Sequence, residues 1–170
     1  MNNIISDRQA SYMRGDSTMT QLLYIVHFIR KNWGNSKIVQ KAFLDISSAF
    51  DKVWHNGLIA KLSQIGIDGT LATFFKSYLS NRKQCVVLEG EKSTLLDIEA
   101  GVPQGSRLGP LLFIIYINDI IIDIESEILL FADDTTLLAS GNDPAETSAQ
   151  INRDLSKISE WSKKWKVTFN

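Results

Sequence analysis

Three aspartates stand where apolar strands are predicted to end, which makes them the residues in this chain best suited to metal chemistry. Asp133 and Asp134 separate two short apolar runs, and Asp45 follows the apolar residues 42–44. Adjacent carboxylates repel each other, and strands disfavour Asp. A bound cation removes that repulsion, and a hard divalent ion such as magnesium takes its ligands from carboxylates and substrate phosphates. Two such ions can activate an attacking oxygen and stabilise a leaving one in phosphoryl transfer.

Ordinary turn chemistry is the competing interpretation of the Asp133-Asp134 pair. Asp is common in tight turns because it tolerates positive φ and bonds to nearby backbone groups. Taken alone, an Asp-Asp pair between two apolar runs favours this structural interpretation. The rest of the sequence must therefore decide whether the carboxylates have a function.

The composition is that of an ordinary globular chain. Its 170 residues are enough for one compact domain, and they are 44% hydrophobic and 22% charged. The net charge of −1 argues mildly against a polynucleotide ligand, since phosphate contacts normally come from a surplus of Lys and Arg. An acidic active centre in a fragment whose basic surface lies elsewhere would give the same balance.

Cysteine content and hydropathy predict an intracellular protein without a membrane span. The single cysteine, Cys85, excludes an internal disulfide, and with only two histidines it excludes a Cys/His zinc site. The start, Met1–Ile4, lacks the charged and then apolar pattern of a signal peptide. The most apolar stretch, 108–124, is broken by Asn118 and Asp119 and is short for a bilayer, so we predict a buried helix.

Apolar residues at helical or alternating spacing predict the secondary structure. The expected elements are, in order, a helix from 18 to about 34, a strand over 38–46, helices over about 54–65 and 71–79, a hairpin over 84–98, a helix over 108–124, a hairpin over 128–139, and a helix around 151–165. Thr18 with Gln21 has the spacing of a capping box, and Ser48 with Asp51 suggests the cap of the second helix. The second hairpin is expected to turn at Asp133-Asp134.

This order predicts an α+β fold. It lacks the regular βαβα alternation of a doubly wound sheet, and a split-βαβ, ferredoxin-like core fits it. An acidic, magnesium-binding signalling receiver would need that alternation and a helper lysine after a late strand. The predicted hairpins contradict the receiver topology.

Four blocks, read in chain order, resemble the reverse transcriptases of non-LTR (LINE-type, jockey-like) retrotransposons. They are Gln9–Thr18 (QASYMRGDST) followed by Gln21-Leu22, similar to a fingers motif; Phe43–His55 (FLDISSAFDKVWH), similar to the first palm motif; Gly101–Phe113 (GVPQGSRLGPLLF) continuing through Tyr116–Ile120 (YINDI), similar to the second; and Phe131–Asp134 (FADD), which resembles the polymerase signature. Retroviral enzymes usually carry YMDD at the signature and group II intron enzymes YADD. The resemblance covers nearly the whole chain.

The resemblance implies an RNA-directed DNA polymerase built on a ferredoxin-like palm. Residues 1–170 would form a single domain fragment, with a partial fingers portion over 1–37 and mainly palm over 38–170. By this resemblance Asp45 and Asp133 are the principal metal ligands and Asp134 completes the cluster. Two Mg²⁺ ions, or Mn²⁺ in their place, would serve transfer of a deoxynucleotide from a dNTP to a DNA primer on an RNA template.

Four further residues gain expected roles in nucleotide binding from the resemblance. Phe50 stands where the family places an aromatic gate against a 2′-hydroxyl; without the resemblance, a core Phe under the next helix is the better interpretation. Gln104 and Gly105 fall in the loop that positions the nucleotide and template base, although the same residues would suit a plain turn. Arg14 is a candidate for the triphosphate, displaced by one position from the family pattern because Met13 occupies the usual basic site.

The resemblance also implies parts that lie outside these residues and an alternative function. Relatives have a thumb and usually an endonuclease, so the chain resembles a fragment of a longer polyprotein that acts at chromosomal targets in the nucleus. The alternative is a truncated or decayed fragment that folds and binds magnesium without polymerising. The intact aspartates favour the enzyme, whereas the short length favours the relic.

Overall fold

The chain divides into two compact units. The structure, a computed structural model, describes residues 4–170. The first unit contains the residues up to Ser47 together with Ile117–Asn170, and the second contains Ser48–Tyr116. Residues 1–3, on which the expected lack of a signal peptide partly depends, lie outside the described residues.

A three-stranded antiparallel sheet forms the centre of the first unit. Its strands are β1 (Ile38–Asp45), β6 (Glu127–Phe131) and β7 (Asp134–Gly141), in the order β1-β7-β6. The central strand β7 pairs antiparallel with both neighbours, from Ile38 opposite Gly141 to Asp45 opposite Asp134. The mixed α and β expectation is confirmed, and an antiparallel sheet is incompatible with the parallel sheet of a signalling receiver.

Side-chain alternation gives this sheet one buried core face. Leu130 and Leu137 are fully buried there, and Ala42 and Leu44 of β1 pack against the same cluster. The opposite register positions of β1 are Phe43, which is 63% exposed, and Asp45. Because successive residues of a strand point to opposite faces, burial of the aliphatic set forces Asp45 away from the core.

Two long helices flank the sheet in sequence, and side chains cap both of them. Helix α1 is Thr18–Gly34, and α5 is Pro144–Trp165. The backbone N–H of Thr20 donates to Ser17 Oγ at 3.2 Å, so the cap is Ser17, one residue before the predicted Thr18. Asp143 caps α5 by accepting the N–H of Ala145 at 3.0 Å, with Pro144 at the first helical position, where its missing N–H costs nothing.

The second unit contains two helices and a hairpin made of short strand pairs. Its elements are α2 (His55–Gln64), α3 (Gly69–Leu79), β2 (Lys83–Gln84), β3 (Val87–Leu88), β4 (Glu91–Lys92) and β5 (Leu96–Asp97), with β2 paired to β5 and β3 to β4. The predicted hairpin is therefore confirmed in position. Its turn is Glu89-Gly90, where both residues have positive φ (51° and 90°), as in a type I′ turn.

The predicted cap of α2 is wrong. The helix begins at His55 after Trp54, which makes no side-chain cap. Ser48 and Asp51 lie instead in the preceding turn, where the Asp51 N–H donates to the Ser48 carbonyl at 3.0 Å. Ser48 has φ of 51°, which takes the chain out of the helical region. Both residues are common in turns and in caps, so the sequence could not separate the two uses.

The long apolar stretch forms a shorter α-helix than predicted. Helix α4 is Leu108–Ile117, and a 3-10 helix follows over Asn118–Ile121. Asn118 accepts the Ser6 N–H at 2.8 Å, and Asp119 accepts the Trp161 indole N–H at 2.8 Å. These polar side chains bond outside the helix, so the α-helical ladder stops where they occur. Among the described residues, no helix is long and apolar enough to cross a bilayer.

An exposed ionic cluster joins α5 to Glu125, which precedes β6. This cluster makes the stability of the first unit depend on pH. Arg153 and Lys157 donate to the Glu125 carboxylate at 2.9 and 3.0 Å, and these hydrogen bonds lower the pKa of Glu125 to about 2. A lowered pKa stabilises the folded state above the ordinary value of 4.5, and this contribution is lost as the pH falls toward 2.

We therefore expect Glu125→Gln to lower the unfolding free energy at pH 7 and to match the wild-type chain near pH 2. Urea unfolding at both values measures the difference. Because the cluster is exposed, the difference at pH 7 should shrink in high salt. An equal deficit at both pH values would contradict the assigned cause.

Candidate active site

The ends of two paired strands bring the predicted carboxylates to one edge of the sheet. Asp45 is the last residue of β1, and its Cα partner is Asp134, the first residue of β7. Directly opposed residues in an antiparallel pair have Cβ atoms about 4.5–5.5 Å apart. Asp133 lies in the adjoining turn, and its carbonyl accepts the N–H of Ile46 at 3.3 Å. The three aspartates chosen from the sequence are therefore neighbours in the folded first unit.

The tip of the β6–β7 hairpin differs from its prediction by one residue. Phe131 pairs with Asp134, so the turn residues are Ala132 and Asp133, and Asp134 belongs to the strand. Ala132 has φ of 54°, and positive φ at the first central position is the pattern of a type II′ turn, where Gly is usual. A non-glycine residue in this region costs of order 1 kcal/mol and persists only where its surroundings hold it.

A buried glutamine holds this strained turn. Gln9 is 2% exposed, and its Oε1 accepts the N–H of Ala132 at 3.3 Å and that of Ser11 at 2.9 Å. The backbone beside it joins β6, since the Ala10 N–H donates to the Leu130 carbonyl at 3.0 Å. No individual role for Gln9 is expected from the sequence, although this residue opens the block that resembles a fingers motif. The position of Gln9 beside β6, within hydrogen-bond reach of the turn, is visible only in the structure.

The electrostatics of the edge are those of crowded carboxylates. Burial raises the pKa of Asp134 above its ordinary value, and the negative charges of Asp133 and Asp45 raise it further. The Asp134 carboxylate is thus harder to ionise than a free one, because it is partly buried and has like charges for neighbours. A bound cation would reverse that effect.

The Asp45 carboxylate is engaged by the last residues of the chain. The Asn170 side-chain amide donates to Asp45 Oδ2 at 2.6 Å, and the Asn170 backbone N–H donates to the Asp45 carbonyl at 2.9 Å. The Ser47 N–H donates to the Thr168 carbonyl at 2.8 Å, which continues this pairing. Across residues 4–170, no three His, Cys, Asp or Glu side chains are grouped so that they could hold a metal ion.

The donor set nevertheless fits a hard divalent ion. All three side chains offer carboxylate oxygens, and magnesium prefers such ligands together with substrate phosphates over a complete protein cage. The strand register places two of the carboxylates opposite each other, and the raised pKa of Asp134 reports the charge of the other two. The hydrogen bond from Asn170 to Asp45 Oδ2 would have to break for that oxygen to bind a cation.

Three of the predicted nucleotide-binding residues lie in the second unit. Phe50 is half-buried and stacks on Phe113 of α4, with ring centroids 4.8 Å apart and planes at 29°. Gln104 is exposed in the loop before α4, and its side-chain amide donates to Asp51 Oδ1 at 2.8 Å. Gly105, also exposed, has φ of 76°. The structure thus places Phe50 between the two interpretations, with one face packed and part of the ring accessible.

The fourth predicted residue, Arg14, lies in the first unit. It is exposed in a turn before α1. The neighbouring Tyr12 is 59% exposed and has φ of 59°. The assignment of Arg14 to binding of the triphosphate remains a prediction.

The first unit brings three aspartates to one edge of an antiparallel sheet, and sites with two metal ions catalyse phosphoryl transfer in several classes of enzyme. The family model described as "Reverse transcriptase (RNA-dependent DNA polymerase)" matches residues 1–170, and the chain belongs to this family.

The chain is similar in sequence to polymerases of non-LTR retrotransposons. It is 34% identical over 161 residues to the RNA-directed DNA polymerase from mobile element jockey of Drosophila melanogaster, covering 90% of this chain and 18% of that protein. It is 31% identical over 175 residues to the probable RNA-directed DNA polymerase from transposon BS of the same species, covering 98% and 19%. The chain therefore spans about a fifth of the length of these curated relatives.

A solved structure supports the fold. The apo telomerase from Candida tropicalis, truncated from its C-terminal domain, matches with a TM-score of 0.66 at 16% identity and covers 96% of this chain and 34% of that one. At this identity the likeness concerns the fold alone. It agrees with the α+β architecture expected from the sequence.

Proposed function

We propose that this chain carries the catalytic centre of an RNA-directed DNA polymerase of a non-LTR retrotransposon. The observation that supports the proposal best is the register of β1 and β7, which sets Asp45 opposite Asp134 beside the hairpin residue Asp133. Residues 1–37 would contribute to the fingers and residues 38–170 mainly to the palm. The thumb and endonuclease would be supplied by other regions of a longer polyprotein, with the nucleus as the place of action.

Asp45, Asp133 and Asp134 would hold Mg²⁺ in this function, with Mn²⁺ as a substitute. When bound, the metal ions would activate the primer 3′-hydroxyl and neutralise charge that develops on the phosphates. The site is prepared for a cation, because burial and the charges of Asp133 and Asp45 raise the pKa of Asp134 and so destabilise its ionised carboxylate. To bind a metal ion through Oδ2, the Asp45 carboxylate would have to lose the hydrogen bond that Asn170 donates to this oxygen.

The substrates would be an RNA template, a DNA primer and dNTPs. The direct test is extension of a DNA primer on RNA templates that differ at one position, with one dNTP supplied at a time. Incorporation that follows the template base supports the proposal. Incorporation that ignores the template, or that requires a DNA template, contradicts it.

Phe50 would determine the choice of sugar. We expect Phe50→Ala to reduce the preference for deoxynucleotides over ribonucleotides by roughly tenfold or more, because rejection of one added group by a fitted pocket is of this size. The measurement compares kcat/KM for dCTP and CTP in primer extension. Phe74→Ala is the control, since Phe74 is an exposed aromatic residue on α3. Loss of overall activity with unchanged preference would assign Phe50 to packing against Phe113.

A folded but inactive fragment is the second candidate. It is favoured by the hydrogen bond that the Asn170 side chain makes to the Asp45 carboxylate. Such a fragment would bind divalent metal at the aspartates yet fail to extend a primer. Primer extension by a chain that is shown to bind metal separates the two: binding without extension supports the inactive fragment, and binding with template-directed extension supports the polymerase.

A further inference from the structure

Two loops of the second unit run side by side through backbone hydrogen bonds. The Val102 N–H donates to the Phe50 carbonyl at 2.8 Å, and the Gly101 N–H donates to the Val53 carbonyl at 2.8 Å. These bonds fix the loop that precedes Gln104 against the turn that contains Phe50. The two residues expected to contact the nucleotide are thus attached to one small backbone pair.

Gly101 makes this close approach possible. It has φ of 89°, and a Cβ at this position would lie 2.7 Å from the Asp51 carbonyl oxygen, which is closer than such atoms approach. Its own carbonyl accepts hydrogen bonds from His55 Nε2 at 2.8 Å and from Arg82 Nη1 at 3.1 Å. The backbone position of the loop is therefore set by several contacts that do not involve Gln104.

One side-chain contact joins the same two loops. Gln104 Nε2 donates to Asp51 Oδ1 at 2.8 Å, and both side chains line an open cavity of about 590 Å³. An ionised carboxylate only accepts hydrogen bonds, whereas the amide has a donor end and an acceptor end. Asp51 therefore pairs with the amide NH2 group of Gln104. The side-chain carbonyl oxygen and the second N–H of Gln104 are left for another partner.

We propose that Asp51 is a positioning residue that fixes the orientation of the Gln104 amide for nucleotide recognition. The inference rests on the proposed polymerase function and adds a residue to its nucleotide site. A neutral partner such as Asn would pair with either end of the amide, so only a carboxylate selects one orientation. Without Asp51 the amide would present its donor and acceptor ends interchangeably.

Energetics separate this role from a structural one. An exposed pair of this kind contributes little to stability. The backbone bonds of Gly101 and Val102 hold the loop without the side-chain contact. We therefore expect Asp51→Ala to leave the unfolding midpoint almost unchanged while it weakens nucleotide binding. Replacement of a purely structural residue would lower the unfolding midpoint and leave nucleotide binding unchanged.

Binding of a nucleotide without chemistry provides the test. A dideoxy-terminated DNA primer on an RNA template with adenine as the next base is titrated with dTTP in the presence of Mg²⁺. We expect Asp51→Ala to raise the Kd for dTTP roughly tenfold, the effect of losing one hydrogen bond to a charged group, and Asp51→Asn to raise it less. Asp97→Ala is the matched control, because Asp97 lines the same cavity but pairs with Lys83 at 3.4 Å.

A double-mutant cycle decides whether Asp51 acts through Gln104. If it does, Asp51→Ala has no further effect on the Kd in a Gln104→Ala background. An Asp51→Ala effect of the same size in both backgrounds overturns the proposal, as does an unchanged Kd in the single variant.

The ¹⁵N resonance of the Gln104 side chain tests the orientation independently of nucleotide. In the wild-type chain, we expect its two N–H protons to be well separated in shift and one of them to exchange slowly, with both features lost in Asp51→Ala. Identical spectra in the two proteins overturn the proposal. A wild-type chain that shows these features but binds no dTTP would refute the polymerase function for this chain, and with it the role of Asp51 in nucleotide recognition.

Discussion

Replacement of Asp45 by Asn is expected to lower primer extension roughly 10³-fold or more and to weaken divalent metal binding. The substitution keeps the shape of the side chain but removes the charge that a hard cation requires. Loss of one preorganised charge-stabilising group typically costs 10²–10³ in rate, and a metal ligand affects both ions that share it. Rates come from single-nucleotide extension, and metal affinity from Mn²⁺ titration without substrates.

Two control variants make this prediction specific. Asp7→Asn removes the same charge from an exposed turn of the first unit, and we expect it to leave both quantities unchanged. Asn170→Ala removes the amide that donates to Asp45 Oδ2, so it should tighten Mn²⁺ binding. Weaker binding in Asn170→Ala would show that this hydrogen bond supports the metal site and does not compete with it.

Asp154→Ala is expected to cost about 3 kcal/mol of unfolding free energy. Asp154 is fully buried, and its two oxygens accept the N–H groups of Glu125 at 2.9 Å and Ser126 at 2.8 Å. Alanine leaves both N–H donors without this partner, and an unsatisfied donor costs about 1–3 kcal/mol where it is buried, as at Ser126. These residues lead directly into β6, so the loss should also loosen the strand that ends at the hairpin bearing Asp133.

The conservative substitution gives the matched comparison. Asp154→Asn retains one acceptor oxygen, and we expect it to lose about half as much stability. Glu160→Ala, an exposed position on the same helix, should stay within about 0.5 kcal/mol of the wild-type chain. Urea unfolding of the three variants measures all of these effects. Equal losses for the Ala and Asn variants would contradict the role of the two accepted hydrogen bonds.

The three carboxylates proposed for the active centre could be chosen from the sequence because expected function and local propensity disagree there. An Asp at the end of an apolar strand and an Asp-Asp pair between apolar runs break the pattern of their surroundings, and such breaks are expected at functional sites. Strand β1 is predicted over 38–46 and observed over Ile38–Asp45, although Gln40 and Lys41 interrupt its apolar residues. The register of β1 with β7, which sets Asp45 opposite Asp134, is known only from the fold.

Details that depend on tertiary contacts were not predictable. The hairpin turns at Ala132-Asp133 and not at Asp133-Asp134, because Gln9 from a distant segment binds the Ala132 N–H and stabilises a positive φ that alanine disfavours. The apolar helix ends at Ile117 for a similar reason, since Asn118 bonds to the segment near Ser6. In both cases a long-range hydrogen bond overrides local preference.

The roles of the nucleotide-binding residues came from the family resemblance and not from residue patterns. Phe50 alone looked like a core aromatic residue, and the structure does give it a packed face against Phe113. Gln104 alone looked like part of a turn. Its pairing with Asp51 joins residues 53 positions apart, which no local pattern encodes.

The central claim is that Asp45, Asp133 and Asp134 form the active centre of an RNA-templated DNA polymerase. Extension of a DNA primer on an RNA template with Mg²⁺ tests it most directly, when the wild-type chain is compared with Asp133→Asn and deoxynucleotides and ribonucleotides are supplied separately. The account predicts template-dependent incorporation of deoxynucleotides by the wild-type chain, loss of that activity in the variant, and loss on chelation of the metal. Extension that survives Asp133→Asn, or none from a folded wild-type chain, would contradict it.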